Sequence, residues 1–149
     1  MSPEMLKQFQ ILQEFNEEDR DALAEVLEER FLPDGKSAFR EGMEGEGLLL
    51  LCAGRLTLKS KRTGSVVGRL EAPAHLGGAS LFSFGKREIT AIADGPAVVE
   101  ILPRSGLPRL ADDAPRAAFR LAEAVAGELA SLVRQSLDVV IENAPDELL

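Results

Sequence analysis

The pattern of apolar and polar residues divides the chain into three parts, and the first part is helical. Apolar residues recur at helical spacing in two short stretches within residues 1–30. The first stretch predicts one short helix with the apolar side chains Leu6, Phe9, Ile11, Leu12 and Phe15. A second helix is predicted to begin after Asn16, because Asn favours the N-cap position and the acidic residues that follow it suit the positive end of a helix. We expect this second helix to end near Arg30.

The second part, residues 31–102, has the pattern of short β-strands. Glycines interrupt it repeatedly, and the apolar stretches between them are short. Apolar and polar residues alternate most clearly at residues 56–59 and around Ile89, Ala91 and Ala93, and the apolar stretch 97–102 follows. Six to eight strands separated by turn signals are typical of a sandwich, a barrel or a jelly roll.

The third part, residues 103–143, returns to helix. Pro108 and Pro115 bracket residues 111–113, which we interpret as an acidic linker. Because proline is favoured in the first turn of a helix, Pro115 predicts the start of a long helix. This helix is expected to reach about Asn143, since Pro145 excludes its continuation.

Apolar residues cover a wide arc of this long helix. Two neighbouring stripes form the arc: Ala118, Ala122, Val125, Leu129, Leu132 and Val139 in one, and Ala126, Val133, Leu137 and Val140 in the other. The arc is wider than a helix needs for packing on one partner. We interpret it as two interfaces, one with the β part and one with a second copy of the chain. The candidate residues for the dimer are Val125, Leu129, Leu132, Val133 and Val140. A single broad contact with the chain's own β part is the alternative.

The composition limits the classes of partner. The chain has 17 basic and 25 acidic residues and a net charge of −8 at pH 7. Its densest basic patch, residues 59–62, lies at a predicted hairpin tip and is too small for a face that binds nucleic acid. No apolar run has the length of a membrane span, and the N-terminal residues lack a signal-peptide pattern. We therefore expect no direct contact with nucleic acid or membrane.

The use of cysteine favours a cytoplasmic protein. Cys52 is the only cysteine, so no disulfide can form within the chain. It lies in the apolar run 48–52, which predicts a buried and inert thiol. A reducing, cytoplasmic compartment is therefore expected.

Three segments, in order, resemble the cyclic-nucleotide-binding domain shared by the catabolite-activator/FNR regulators and the regulatory subunits of cAMP-dependent kinase. Residues 31–42, FLPDGKSAFREG, resemble the family's stretch that ends in a turn glycine. Residues 48–58, LLLLCAGRLTL, resemble its strand–turn–strand signature, in which Gly54 takes the positive-φ position. Residues 76–93, LGGASLFSFGKREITAIA, resemble its phosphate-binding cassette.

The resemblance implies a mainly β fold with flanking helices. The expected architecture is a double-stranded β-helix, of the jelly-roll or β-roll kind, closed by the long C-terminal helix. Residues 1–149 are expected to form a single domain. Its parts are the N-terminal helices (1–30), the β-roll (31–102), the C-terminal helical part (103–143) and an acidic tail (144–149).

The resemblance also assigns candidate ligand residues in the cassette. In the family, the cyclic phosphate lies at the N-terminus of a short helix and pairs with an arginine, and a glutamate accepts a hydrogen bond from the ribose 2′-hydroxyl. Arg87 aligns with that arginine, and Gly77, Gly78, Ala79 and Ser80 align with the turn and the short helix. The alternative for Arg87 is a surface arginine at a hairpin tip.

Two positions depart from the family's pattern. Gly78 stands where the ribose glutamate is expected, and Glu88 stands where a small residue follows the arginine. The lost charge-assisted hydrogen bond is worth about 1.5–3 kcal/mol of binding free energy. A carboxylate of Glu88 that faces the pocket adds repulsion, although neighbours in a strand point to opposite faces, which leaves its orientation open. We expect a degenerate pocket, weak or inactive toward cAMP and cGMP, that leaves another small anionic ligand possible.

No catalytic chemistry is predicted, and no metal or other cofactor. His75 is the only histidine, which excludes a multi-histidine metal site of the kind that cupins use. It is expected in a loop beside Pro73, and no motif supports a Ser-His-Asp triad. Residues 44–47, EGEG, lack the spacing of a P-loop or a dinucleotide fingerprint and are interpreted as a flexible turn.

The expected function is that of a stand-alone regulatory module that senses a ligand or binds a protein partner in signalling. In the related regulators a helix-turn-helix domain follows the long helix, whereas residues 142–149 here read as a short acidic tail. The resemblance also implies a homodimer that forms along the C-terminal helix. Two alternatives are a genuine cAMP or cGMP receptor domain and a scaffold that binds no ligand.

Overall fold

The N-terminal segment differs from the single short helix that its apolar pattern predicts. The computed structural model describes residues 2–144. The segment forms two 3₁₀ helices, Pro3–Gln8 and Gln10–Leu12, with Phe9 between them and Phe15 after them, so the prediction of one helix was wrong. The backbone of this segment nevertheless places Leu6, Phe9 and Leu12 inside the core, so an α-helix is not needed to bury them.

Helix α1, Glu17–Val26, begins where the sequence predicts. A capping box forms at its start, because the Asp19 amide donates to Asn16 Oδ1 (2.8 Å) and the Asn16 amide donates to Asp19 Oδ2 (3.0 Å). The helix ends before the predicted Arg30, because residues from Glu28 onward already pair as a strand.

Eight strands follow within the described residues, which agrees with the predicted number. They are β1 Glu28–Leu32, β2 Ser37–Phe39, β3 Gly47–Ala53, β4 Arg55–Ser60, β5 Ser65–Glu71, β6 Ala74–Leu76, β7 Thr90–Ala93 and β8 Ala97–Pro103. They pair antiparallel in two four-stranded sheets, with the orders β1-β8-β3-β6 and β2-β7-β4-β5. This is a mainly β roll with flanking helices, as predicted, and its first strand starts a few residues earlier than expected.

The apolar run 48–51 lies on β3, a central strand of the first sheet, and its side chains are buried on both faces. Leu49 and Leu51 join the apolar cluster inside the roll, whereas Leu48 and Leu50 join the cluster beneath the helices. Because successive side chains of a strand point to opposite faces, four consecutive leucines fill two separate cores. The sequence of a strand that is buried on both faces is therefore a continuous apolar run rather than an alternation of apolar and polar residues.

Two predicted features of the hairpin region are present. Gly54, directly after β3, has a φ of +85°, as its turn position predicts. Residues 61–64 form the turn between β4 and β5, so the basic patch 59–62 lies at a hairpin tip.

The segment interpreted as an acidic linker is helical. Helix α2 spans Gly106–Asp113, and helix α3, Pro115–Asn143, follows directly after Ala114. The linker prediction was wrong because Pro108 lies in the first turn of α2, where proline is tolerated. Leu110, which is fully buried, anchors this helix to the core. The predicted start of α3 at Pro115 is confirmed.

Helix α3 packs on its own chain over its first part only. Ala117, Leu121 and Val125 are buried in the cluster beneath the helices, whereas residues 131–143 are all exposed. The burial of Val125 removes it from the surface that a second chain could contact, which corrects its place among the candidate dimer residues. The residue predicted to stop the helix, Pro145, and the rest of the tail lie outside the described residues.

Candidate functional site

Arg87 lies where two loops pair by backbone hydrogen bonds. The Arg87 amide donates to Met43 O (2.7 Å), and the Gly42 amide donates to Arg87 O (2.8 Å). The Gly45 amide also donates to Gly85 O (3.0 Å). Residues 42–45 thus form a short ladder with residues 85–87, and Arg87 lies in that ladder rather than at a hairpin tip.

The side chain of Arg87 is half-buried and points into the protein. Its Nη2 donates to Gly47 O (3.0 Å), and its guanidinium carbon lies 4.4 Å from the centre of the Phe39 ring. Burial lowers the pKa of Arg87 from its ordinary value, whereas Glu46 and Glu88 act to raise it. Because a guanidinium keeps its charge in proteins, the loops enclose a partly desolvated cation.

Two glycines allow the close packing of the loops around this arginine. Gly77 has a φ of +80°, a backbone conformation that favours glycine, and a Cβ at this position would collide with Arg87 Nη1. A Cβ at Gly45 would collide with Ser80 Oγ. The guanidinium can therefore occupy its place beside Gly47 because Gly77 lacks a side chain, whereas Gly45 allows Ser80 to approach the same loop.

A cavity of about 150 Å³ opens beside Arg87. Five of the six candidate ligand residues line it, together with Ser83, Gly85 and Lys86: they are Gly77, Ala79, Ser80, Arg87 and Glu88. The expected alternation between Arg87 and Glu88 does not apply, because strand β7 begins only at Thr90. Both residues therefore line the same cavity, with opposite charges.

Gly78 is the candidate residue that lies elsewhere. It is buried and is not part of the cavity lining. A Cβ at Gly78 would lie 3.0 Å from Val125 Cγ2 of α3, which is tighter than an ordinary van der Waals contact. The position that aligns with the family's ribose glutamate is thus in close contact with α3.

Arg104, which the sequence analysis did not single out, contacts the cassette from the end of β8. Its Nε donates to Ser80 O (2.9 Å), and its Nη2 donates to Ser83 O (3.0 Å). No local pattern marks this arginine, because both acceptors are backbone carbonyls about twenty positions away in the chain.

Two segments expected in loops are ordered parts of the fold. His75 lies in strand β6, and its Nε2 is 2.7 Å from Glu128 Oε2 on α3, which corrects its predicted place in a loop. The segment 44–47 is not simply a flexible turn. Its two glycines are buried, and Glu46 forms a 3.1 Å ion pair with Arg30.

Two titratable groups lie on the helix-covered sheet and outside the cavity lining. Burial raises the pKa of the Cys52 thiol to about 12, and the carboxylate of Glu100 adds to this rise. The thiol is half-buried rather than fully buried, but its raised pKa keeps it protonated, which agrees with the predicted inertness. Burial also raises the pKa of Glu100, and Glu29, which lies opposite on β1, contributes to the rise.

Metal-ligating side chains are not grouped within residues 2–144. That range holds no cluster of three or more His, Cys, Asp or Glu side chains placed to bind a metal ion. Among the helices described, none combines the length and the apolar character needed to cross a membrane.

The roll, the cassette loop and its half-buried arginine define a known class of domain. The family model described as "Cyclic nucleotide-binding domain" matches residues 29–114, which is more than half of the chain and includes both the roll and the cassette. The chain belongs to this family, which confirms the resemblance seen in the sequence. Among curated proteins, none matches the chain in sequence.

Solved structures share the fold over most of the chain. The N-terminal domain of a transcriptional regulator from Streptomyces coelicolor is 24% identical, with a TM-score of 0.77 over 91% of this chain and 94% of that one. A cyclic nucleotide-binding domain from Methylobacillus flagellatus is 21% identical, with a TM-score of 0.75 over 98% and 84%. The Catabolite Activator Protein of Thermus thermophilus is 24% identical, with a TM-score of 0.75 over 95% of this chain and 62% of its own. At these identities the likeness establishes the fold.

Proposed function

We propose that this chain is a regulatory module whose cavity beside Arg87 binds a small anion, and whose affinity for cAMP and cGMP is weak or absent. The observation that carries the proposal is a half-buried arginine, kept at the family's phosphate position, beside a cavity of only about 150 Å³. The arginine supplies the attraction, and the size of the cavity limits what can enter.

The size of the cavity favours an ion over a nucleotide. Pockets that enclose an organic ligand commonly measure about 300–1,000 Å³. The cavity beside Arg87 is about 150 Å³, which is below that range but large enough for an ion of the size of phosphate. A nucleotide could enter only after the loops 42–47 and 77–88 had moved apart.

The charges around the cavity favour a small anion. Arg87 and Lys86 line it, and a hydrogen bond between a charged donor and an anion is worth about 1.5–3 kcal/mol. Glu88 lines the same cavity and opposes the entry of a second negative charge. The local balance therefore favours an anion of low charge that contacts Arg87 and stays away from Glu88.

The ribose of a cyclic nucleotide has no carboxylate partner at the position where the family provides one. Gly78 stands there, and even a Cβ at this position would lie 3.0 Å from Val125 Cγ2 of α3, so a side chain would require Val125 to shift. Without that acceptor, a cyclic nucleotide loses a charge-assisted hydrogen bond, which weakens binding by at least tenfold. This loss favours the degenerate pocket over the alternative of a genuine cAMP or cGMP receptor.

Calorimetric titration with inorganic phosphate, at constant ionic strength, tests the anion site. We expect saturable binding with one site per chain, and we expect Arg87→Ala to weaken it at least tenfold. Arg62→Ala is the matched control, because Arg62 is exposed in the β4–β5 turn and its removal changes the net charge by the same amount. Absence of phosphate binding to the unaltered chain contradicts the proposal and favours a scaffold without a ligand.

We also propose that the chain forms a dimer along the distal part of α3. Leu129, Leu132, Val133 and Val140 are 41–62% exposed there. Contiguous apolar side chains on a protein surface mark interaction sites. A second copy is the favoured occupant, because a stripe at helical spacing is complementary to itself across a twofold axis.

Light scattering tests the dimer. We expect twice the mass of one chain, and we expect the double variant Leu129→Glu, Leu132→Glu to halve it. Val67→Glu provides the control, because Val67 is exposed to a similar degree but lies on β5, at the edge of the sheet β2-β7-β4-β5. A monomer at high concentration, or a double variant that stays dimeric, is incompatible with the proposed interface.

A further inference from the structure

We propose that Arg104 is a positioning residue that holds the cassette turn, residues 80–86, in the shape that forms the cavity beside Arg87. Arg104 lies outside the cavity lining, so it acts through the backbone that it holds. The expected effect of Arg104 on ligand affinity rests on the proposed anion site. Its expected effect on the shape of the cassette turn is independent of that site.

The guanidinium of Arg104 binds one carbonyl group within the short cassette helix, Gly78–Leu81, and one two residues after it. Its Nε donates to Ser80 O and its Nη2 to Ser83 O, at 2.9 Å and 3.0 Å. Carbonyls at a helix end have no partner within the helix and need donors from elsewhere. The planar fork of arginine fits two acceptors at once, which a lysine ammonium cannot do with the same rigidity.

The ring of Phe84 completes this attachment. The guanidinium carbon of Arg104 lies 3.9 Å from the centre of the Phe84 ring, which is a close cation–π distance. Phe84 is itself 80% exposed, so this contact, rather than burial in a core, fixes its place. Arg104 thus holds both the start and the middle of the cassette turn.

The backbone of Arg104 connects the same point to the opposite wall of the site. The Arg104 amide donates to Glu46 O at 2.8 Å. Glu46 lies between Gly45 and Gly47, the residues that approach Ser80 and accept from Arg87. One residue therefore contacts both loops that enclose the Arg87 guanidinium.

Arg104 also stands at the junction between the roll and its C-terminal helices. It follows β8 directly, and the Leu107 amide in the first turn of α2 donates to Arg104 O at 3.2 Å. A movement of the cassette turn is transmitted to the start of α2 through this residue. Because coupling between two sites is reciprocal, an anion at Arg87 and the position of α2 then influence each other.

Hydrogen exchange of the ligand-free protein tests the positioning role. We expect Arg104→Ala to speed the exchange of amides in residues 80–86 at least tenfold. Arg104→Lys is expected to restore little of the protection, because it cannot hold both carbonyls. Phe84→Ala leaves the hydrogen bonds of Arg104 in place, so we expect it to speed exchange in the same residues by a smaller factor. This variant replaces Arg104→Ala as the test if Arg104→Ala does not fold.

The control is Arg109→Ala, since Arg109 is exposed on α2 and contacts Asp113 of the same helix at 3.7 Å. It is expected to leave exchange in the cassette turn unchanged. The positioning role is overturned if Arg104→Ala and Arg109→Ala give equal exchange in residues 80–86. It is also overturned if exchange rises to the same degree throughout the roll, as a general loss of stability would cause.

A second arm adds inorganic phosphate. In the unaltered chain we expect slower exchange in both the cassette turn and α2, whereas in Arg104→Ala we expect roughly tenfold weaker binding and no response in α2. If the unaltered chain binds phosphate and α2 does not respond, the transmission to α2 is wrong. If it does not bind phosphate at all, the proposed function fails, and the ligand-free arm still decides the positioning role.

Discussion

The two sides of the β-roll are built from different interactions. The central strands β3 and β8 of the sheet β1-β8-β3-β6 are buried on both faces, mainly by apolar side chains, whereas the cassette side is held by backbone ladders, two arginines and glycines. Apolar burial is spread over many contacts, so it fixes the fold. The directional contacts are few, so single residues decide the shape of the site. Stability and ligand binding can therefore be changed separately.

Removal of apolar volume from the sheet β1-β8-β3-β6 has the largest expected effect on stability. Leu50 is fully buried in β3 beneath the helices, and Leu50→Ala is expected to lower the free energy of unfolding by about 2–5 kcal/mol. Urea denaturation measures this loss. Val67→Ala, at an exposed position of β5, is the control and is expected to cost far less. Equal losses in the two variants would contradict the assignment of the main core to this sheet.

A methyl group added on the cassette side is expected to destabilise the fold less than Leu50→Ala does, but to abolish anion binding. Gly77→Ala places a side chain in a positive-φ conformation, at a cost of about 1–2 kcal/mol, and its Cβ displaces the Arg87 guanidinium. Loss of phosphate binding in calorimetry is the expected result. Gly64→Ala has the same backbone cost, since Gly64 has a φ of +67°, but its Cβ meets open space. If both variants bind phosphate equally well, phosphate binding does not depend on the position of the Arg87 guanidinium against Gly77.

The buried carboxyl group of the helix-covered sheet gives the smallest effect, which depends on pH. Burial raises the pKa of Glu100, so the folded chain binds this proton more tightly than the unfolded chain. The group's stabilising contribution is complete below its unfolded pKa of about 4.3 and is lost as pH rises through the folded pKa. The glutamine of the Glu100→Gln variant stays uncharged at every pH. The free energy of unfolding of this variant, relative to the unaltered chain, is therefore expected to rise with pH across that window.

Urea denaturation from acidic to alkaline pH measures this difference. Glu25→Gln, which removes one negative charge from the exposed side of α1, controls for the change in net charge. A Glu100→Gln variant whose advantage falls as pH rises would mean that Glu100 is stabilised as a carboxylate by a partner, the reverse of the effect of burial.

The sequence predicted the elements whose cause is local. The strands follow from short apolar stretches between glycines, and the start of α3 follows from Pro115, because these signals act within a few residues. Helix α2 was missed because Pro108 and the acids after it have the composition of a linker. Its helical state depends on the burial of Leu110 in a core formed by distant segments.

The site was predictable in position but not in shape. Alignment to the family located Arg87 and four more residues of the cavity lining. It could not predict that the guanidinium would donate to Gly47, forty positions away, or that α3 would pack on Gly78 through Val125. Such contacts depend on how loops and helices meet in space, and the local patterns of one sequence do not show that arrangement.

Calorimetric titration with cAMP and cGMP tests the central claim most directly. In phosphate-free buffer, at concentrations at which inorganic phosphate titrated alone saturates the site at Arg87, we predict no saturable heat from either cyclic nucleotide. The cavity beside Arg87, at about 150 Å³, is below the usual size of a pocket that encloses an organic ligand, and Gly78 offers no carboxylate acceptor for the ribose. A dissociation constant in the low micromolar range for either nucleotide, lost in Arg87→Ala, would contradict the account and identify the chain as a genuine cyclic nucleotide receptor.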